Sequence, residues 1–264
     1  MAFDIDGFTR TSERVGYEDL DLDVFLEHPL PPRTLRTIRY MADVEYHTVC
    51  YLRDMLVTPS HAEGVVSAFM TFWNREEFWH GEALSSVLAR HDIALDFDQL
   101  KAKRLKLGWK DRLSPVVQSL GSNLIGKDFI AVHMAWGAAN EWSAGEAYRR
   151  LAALEGEPVL TTLLQRIAKQ ESRHVAFYAT QARKRLEGHP KAQKIARFAL
   201  TKFWGPVGTG VMPETEVDHV MRHLFSGPEG RSYAARIDAN ISRLPGLSGL
   251  RIVQDALDRR GVPA

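Results

Sequence analysis

Glu77 and His80 stand three residues apart inside the run TFWNREEFWHGEAL (residues 71–84), and both fall where an amphipathic helix would carry a core residue. Three residues is most of one helical turn, so the carboxylate and the imidazole leave the same face, one above the other. A fold that buries this pair must give it a partner, because an unpaired buried charge costs several kcal/mol. One pair alone carries little weight, since 17 Glu and 10 His in 264 residues produce roughly 0.6 Glu-x-x-His pairs by chance. The run is echoed, however, by Glu171-Ser172-Arg173-His174, and each copy has a lone glutamate one helix upstream, Glu45 and Glu141.

Periodicity predicts four long helices, over about 33–57, 61–90, 127–154 and 159–187. In the first, Ile38, Met41, Ala42, Thr48, Val49, Leu52 and Leu56 form an apolar stripe that includes Glu45. The second carries Val66, Phe69, Met70, Trp73, Leu84 and Leu88 beside Glu77 and His80. The third carries Met134, Gly137, Ala138, Ala144, Gly145, Tyr148 and Leu151 beside Glu141, and the fourth Leu160, Leu164, Ile167, Phe177 and Tyr178 beside Glu171 and His174. Thr58-Pro59-Ser60 and Glu155-Gly156-Glu157-Pro158 read as stops, with Ser60 as the N-cap of the second helix. Residues 1–32, ending in Pro29-Leu30-Pro31-Pro32, read as an extended arm, and 91–126 as an irregular crossover connection. Shorter helices follow after 190, interrupted by Gly205–Gly210 and Gly227-Pro228. Strand-like alternation is scarce. The expectation is an all-α chain with one domain: the arm, a bundle core over 33–187, and additional helices over 190–264.

Glu45 precedes Glu77 by 32 residues and Glu141 precedes Glu171 by 30. At 1.5 Å per residue, roughly 15 residues up and 15 down return each hairpin to the same height. All four elements can then meet at mid-bundle. One Glu from each of two helices plus Glu-x-x-His from two others is the ligand set of ferritin-like di-iron and di-manganese bundles. The predicted metal ligands are therefore Glu45, Glu77, His80, Glu141, Glu171 and His174, a hard oxygen and nitrogen set suited to two Fe or Mn ions. Glu146, Glu76 and Glu82 leave the stripe, and a third pair, Glu216 and His219, reads as surface.

The remaining composition excludes more than it specifies. The 34 Lys and Arg nearly cancel the 33 Asp and Glu, so no global field points to nucleic acid. Cys50 is the only cysteine, which rules out a disulfide framework, fits a reducing compartment and reads as an inert core thiol. No apolar run approaches the length of a membrane span and the N-terminus lacks the apolar core of a signal peptide, so the expected location is cytoplasmic. Phe69, Trp73, Phe78, Trp79 and Trp142 read as core aromatics rather than an electron path. Gly137, Ala138, Ala144 and Gly145 leave little volume around Glu141, either for close helix packing or as an opening for an elongated substrate. Lys101, Lys103, Arg104, Lys106, Lys110 and Arg112, opposed locally only by Asp111, form an attractive dock for an acidic partner.

Several stretches resemble the soluble acyl-[acyl-carrier-protein] desaturase family, a branch of the ferritin-like di-iron oxidases. Glu77-Phe78-Trp79-His80-Gly81 with Leu84 is similar to its EExRHGxxL block. Ile167–His174 with Tyr178 is similar to its IAADEKRHExxY block, and Asn140-Glu141 to its QERA segment. Arg243–Ser248 with Gln254-Asp255 resembles a late segment that a generic ferritin lacks. The resemblance covers the chain from about Glu45 onward and implies the same six ligands. It also implies a homodimer, a ferredoxin-type electron donor, and a fatty acyl chain carried by acyl carrier protein as the substrate to be desaturated. Two positions depart from the pattern: Ala144 stands where plant members have Thr, and Gln170 where they have Asp. These departures leave open hydroxylation or N-oxygenation of another metabolite, and outside enzymes the alternative is iron storage.

Overall fold

A two-residue connection, Gly156-Glu157, joins the two longest helices. Gly156 adopts the left-handed conformation (φ 64°) that ends one, and the Glu157 carboxylate accepts from the Val159 and Leu160 amides (3.1 and 2.6 Å) to start the next. Pro158 then occupies the first helical turn, where its missing N–H costs nothing. So short a link forces an antiparallel hairpin.

The computed structural model describes residues 3–106 and 109–264, except the side chains of residues 103, 106 and 109–112. In chain order the helices are α1 (Ile5–Arg10), α2 (Val24–Glu27), α3 (Pro32–Met55), α4 (Gly64–Ala89), α5 (Phe97–Lys106), α6 (Trp109–Ile125), α7 (Asp128–Glu155), α8 (Pro158–Leu186), α9 (Pro190–Phe203), α10 (Glu214–Phe225), α11 (Gly227–Ser242) and α12 (Ile252–Arg259). The fold is all-α: among the described residues the only β feature is an isolated bridge between Thr209 and Met212. No described helix is long and apolar enough to cross a membrane.

Helices α3 and α4 form one hairpin and α7 and α8 the other, and α4 also packs on α8. Met134, Leu151, Leu84, Leu88, Leu160, Leu164 and Ile167 are fully buried between them. Phe69 of α4 stacks on Phe177 of α8 with ring centroids 3.7 Å apart. Gly137 lets α7 and α8 approach closely, since a Cβ there would lie 2.3 Å from the Tyr178 ring. Helices α9 and α11 cover α7, and α10 lies against α3.

Four local expectations change. Ser60 does not cap α4: Pro59 opens a 3-10 turn (Pro59–Ala62), Glu63 precedes Gly64 as the cap residue, and Ser60 is buried against His133 Nδ1 (2.7 Å). The crossover is helical, comprising α5 and α6. The arm is not simply extended, because α1 folds onto α4 and buries Phe8 against Phe69. Val49, Leu56 and Cys50 lie outside the core although Met55 of the same helix is buried: the first two are exposed and Cys50 is half-buried.

Candidate metal centre

One residue of α3 (Glu45), two of α4 (Glu77, His80), one of α7 (Glu141) and two of α8 (Glu171, His174) meet in a single cluster, each buried. It has two halves. Glu45, Glu77, His80 and Glu171 form one, and Glu77, Glu141, Glu171 and His174 the other, with the potential ligand atoms of each half all within 4.8 Å of one another. Glu77 and Glu171 belong to both. Each half thus has its own lone glutamate and histidine, and the two halves share the carboxylates of the two Glu-x-x-His motifs.

The orientation of the imidazoles decides what the cluster can hold. His80 Nε2 lies 2.9 Å from Gln170 Oε1, and His174 Nε2 lies 2.8 Å from Glu76 Oε2. Both partners are acceptors, so Nε2 carries the proton and a neutral ring is left with its lone pair on Nδ1. That lone pair faces oxygen: His80 Nδ1 is 3.0 Å from Glu77 Oε2 and 3.3 Å from Glu171 Oε1. His174 Nδ1 is 3.0 Å from Glu171 Oε2, 3.2 Å from Glu77 Oε1 and 3.6 Å from Glu141 Oε2. Lone pairs crowded in this way repel unless a cation lies among them. Glu171 Oε1 is buried without forming a well-made hydrogen bond.

Protons supply that cation when metal does not. Burial, reinforced by the Glu77 and Glu171 charges, pushes the Glu45 and Glu141 carboxyls well above the usual range. Burial would also raise Glu77 and Glu171, but the two imidazoles outweigh it and hold both down. Burial disfavours charging His80 and His174, yet the facing carboxylates push both well above the ordinary imidazole value. The metal-free cluster therefore balances with two imidazolium ions, two carboxylates and two neutral carboxyls. Two divalent cations would replace those four protons charge for charge, with hard oxygen and nitrogen donors and no sulfur. The residues fit a two-metal site.

Further contacts hold the ligands in place. Trp73 Nε1 donates to Glu141 Oε1 (3.1 Å), and the Tyr148 hydroxyl donates to Glu45. Gln170 and Glu76 each precede a Glu-x-x-His motif, and each takes the histidine of the other motif, strapping α4 to α8 in both directions. Glu76 is the residue that sequence reasoning misses. Its displacement from the stripe by one position, about 100°, points it at α8 rather than at solvent, where it is 0% exposed. The signal was its register, identical to that of Gln170. Gln170 gives His80 an acceptor without a charge. The arm closes this side: Gln170 Nε2 donates to the Glu13 carbonyl (3.0 Å), while Arg173, 3.7 Å from Glu76, donates to the Phe8 and Thr11 carbonyls.

On the opposite side, an apolar cavity open to solvent reaches Glu45. Val44, Ala144, Ala147, Trp204, Val220 and Phe225 are among the residues lining it. The small residues of α7 thus divide: Gly137 serves close packing, and Ala144 opens onto the cavity together with Ser143. Glu146 pairs with Arg149 and Arg236, Glu82 with Arg14, and Glu216 with Arg36, all outside the cluster. Of the basic residues expected to dock an acidic partner, Lys101 is exposed, and Arg104 spends its guanidinium on the Tyr46 carbonyl of α3 (2.6 Å). The side chains of Lys103, Lys106 and Lys110 lie outside the described residues. No protein-family model matches the chain, and no curated protein matches it.

Proposed function

We propose that this chain is an O2-dependent di-iron oxidoreductase that oxidises an elongated apolar substrate, most specifically a fatty acyl chain desaturated in the manner of the family it resembles. The observation that carries this reading is the junction at Glu45, where a buried two-metal donor set meets an apolar cavity. Glu45, Glu77, His80 and Glu171 would hold one ion, and Glu77, Glu141, Glu171 and His174 the other. When bound, such a metal pair supplies O2 activation and one-electron chemistry that side chains lack. The chain's own residues do the rest: the cavity wall holds an unreactive C–H beside Glu45 and keeps water away, Tyr148 orients Glu45, and Trp73 orients Glu141.

A fatty acyl chain suits an apolar cavity, and an acyl carrier protein with a ferredoxin-type donor completes the system by resemblance. A second reading, hydroxylation or N-oxygenation of another metabolite, is favoured by Ala144, which lines the cavity with a methyl group where the plant enzymes have a hydroxyl. Metal analysis should find iron, with manganese as the substitute, at two ions per chain, and Glu171→Ala should lose them. Mass spectrometry of acyl substrates after turnover with ferredoxin and O2 separates the chemistries: loss of two hydrogen atoms means desaturation, gain of one oxygen atom means hydroxylation. A protein that assembles into a cage rather than a dimer, and turns over no substrate, would instead store metal.

A further inference from the structure

Helix α6 is amphipathic in the reverse sense. Its small polar residues face the body of the protein: Ser114 donates to Asp54 of α3 (2.5 Å), Gln118 is half-buried and Ser122 fully buried. Its apolar residues face water. Leu113, Val116, Val117, Leu120 and Leu124 follow the i, i+3, i+4, i+7, i+11 spacing of one helical face and are 46–89% exposed. Phe97 and Leu105 of α5 add 72% and 64% exposed side chains, with exposed Lys101 between them on the same face. Surface helices normally turn the apolar stripe inward, and an exposed apolar face of this kind marks an interaction site.

The same segment holds the chain's charge asymmetry. Residues 97–125 contain six Lys and Arg against Asp98 and Asp111, and the rest of the chain is left with 28 basic and 31 acidic residues. The charges lie in the first half, since residues 113–125 contain none. We infer that α5 and α6 form a membrane-docking surface, the apolar face of α6 seated among the acyl chains of a bilayer whose anionic headgroups are attracted by the net positive charge of residues 97–125 and by exposed Lys101. Basic and apolar side chains combined on a helix that cannot span are the chemistry of an interfacial helix. The net negative remainder is repelled by the same surface, which fixes the orientation. A second copy packed on the uncharged half of α6 would leave the basic segment without counter-charge, and a soluble acidic partner would satisfy the lysines and leave the uncharged half of α6 in water. The inference does not depend on the metal centre.

Flotation of the full-length chain with vesicles tests it. Binding should appear with phosphatidylcholine–phosphatidylglycerol vesicles, be slight with phosphatidylcholine alone, and weaken as salt rises. Lys101→Gln should weaken it about fivefold. The double variant Leu120→Asp, Leu124→Asp should abolish it with the circular dichroism and thermal unfolding unchanged, because both positions are already in water. Failure to bind anionic vesicles at low salt overturns the inference, as does binding that survives the double variant. So does a dimer that Leu120→Asp dissolves, or an acidic carrier protein that shields α6, in a chain that does not bind vesicles.

Discussion

Glu76→Ala is the substitution that separates a supported metal centre from a mere accumulation of buried charge. The variant removes the acceptor 2.8 Å from His174 Nε2, at a site where neither side chain touches water. A charge-assisted hydrogen bond of this kind contributes about 1.5–3 kcal/mol, and loss of a group that orients a ligating histidine typically weakens metal binding about 10–100-fold, or about 1.4–2.7 kcal/mol. The two routes agree. The ion pair with Arg173 adds little, because at 3.7 Å and partly exposed it is screened. Glu76→Gln keeps an oxygen for His174, as Gln170 already does for His80, and should cost less than about tenfold. Titration of metal-free protein with Mn2+ against a chromophoric chelator reads both affinities, with circular dichroism as the check on folding. His174 belongs to one half of the cluster only, so one of two binding steps should weaken and the other should hold. A folded Glu76→Ala protein that binds both ions as tightly as wild type would show that Glu76 does not position His174.

Gly137→Ala places a Cβ 2.3 Å from the Tyr178 ring, and overpacking of that kind should cost about 1–3 kcal/mol in a denaturant titration; an unchanged midpoint would mean that α7 and α8 separate freely. Burial, helped by the Arg185 charge, lowers His133 to about 3, so the unfolded chain takes up the proton first. The stability that neutral His133 contributes is complete above its ordinary value near 6.5 and is lost as pH falls toward 3, by about 1.4 kcal/mol per pH unit. His133→Asn should remove that slope from unfolding free energies measured between pH 4 and 6, and a wild-type slope in the variant contradicts the assignment. Ala144→Phe should fill the cavity and weaken binding of a long acyl probe by about tenfold or more while metal content stays at the wild-type level; unaltered acyl binding would place the substrate elsewhere. Loading with two divalent ions should expel as many as four protons, from Glu45, Glu141, His80 and His174. Calorimetric heats should then vary with the ionisation enthalpy of the buffer, and identical heats in phosphate and Tris would contradict that count.

The four long helices and the six clustered side chains were legible in the amino-acid sequence, because both follow from one local rule. A carboxylate or imidazole on an apolar stripe of period 3.6 is carried inward with its neighbours, and matched spacings of 32 and 30 residues set all of them at one height. Proline and glycine placed the α7–α8 turn for equally local reasons. What the tertiary structure alone decided are contacts between elements distant in the chain. Glu76 lies off its own stripe and is buried only because α8 stands beside it. Gln170 acquires its role from His80, ninety residues earlier. The arm, featureless in periodicity, folds over these two contacts through backbone carbonyls, which no residue type announces. Residues 91–126 read as irregular in sequence, with Pro115 inside what proves to be α6, and the apolar spacing of that helix is the same whether its face meets core or water. Only the seating of Ser114 and Ser122 against the body turned it outward. Periodicity specifies which side chains share a face, and packing specifies what that face meets.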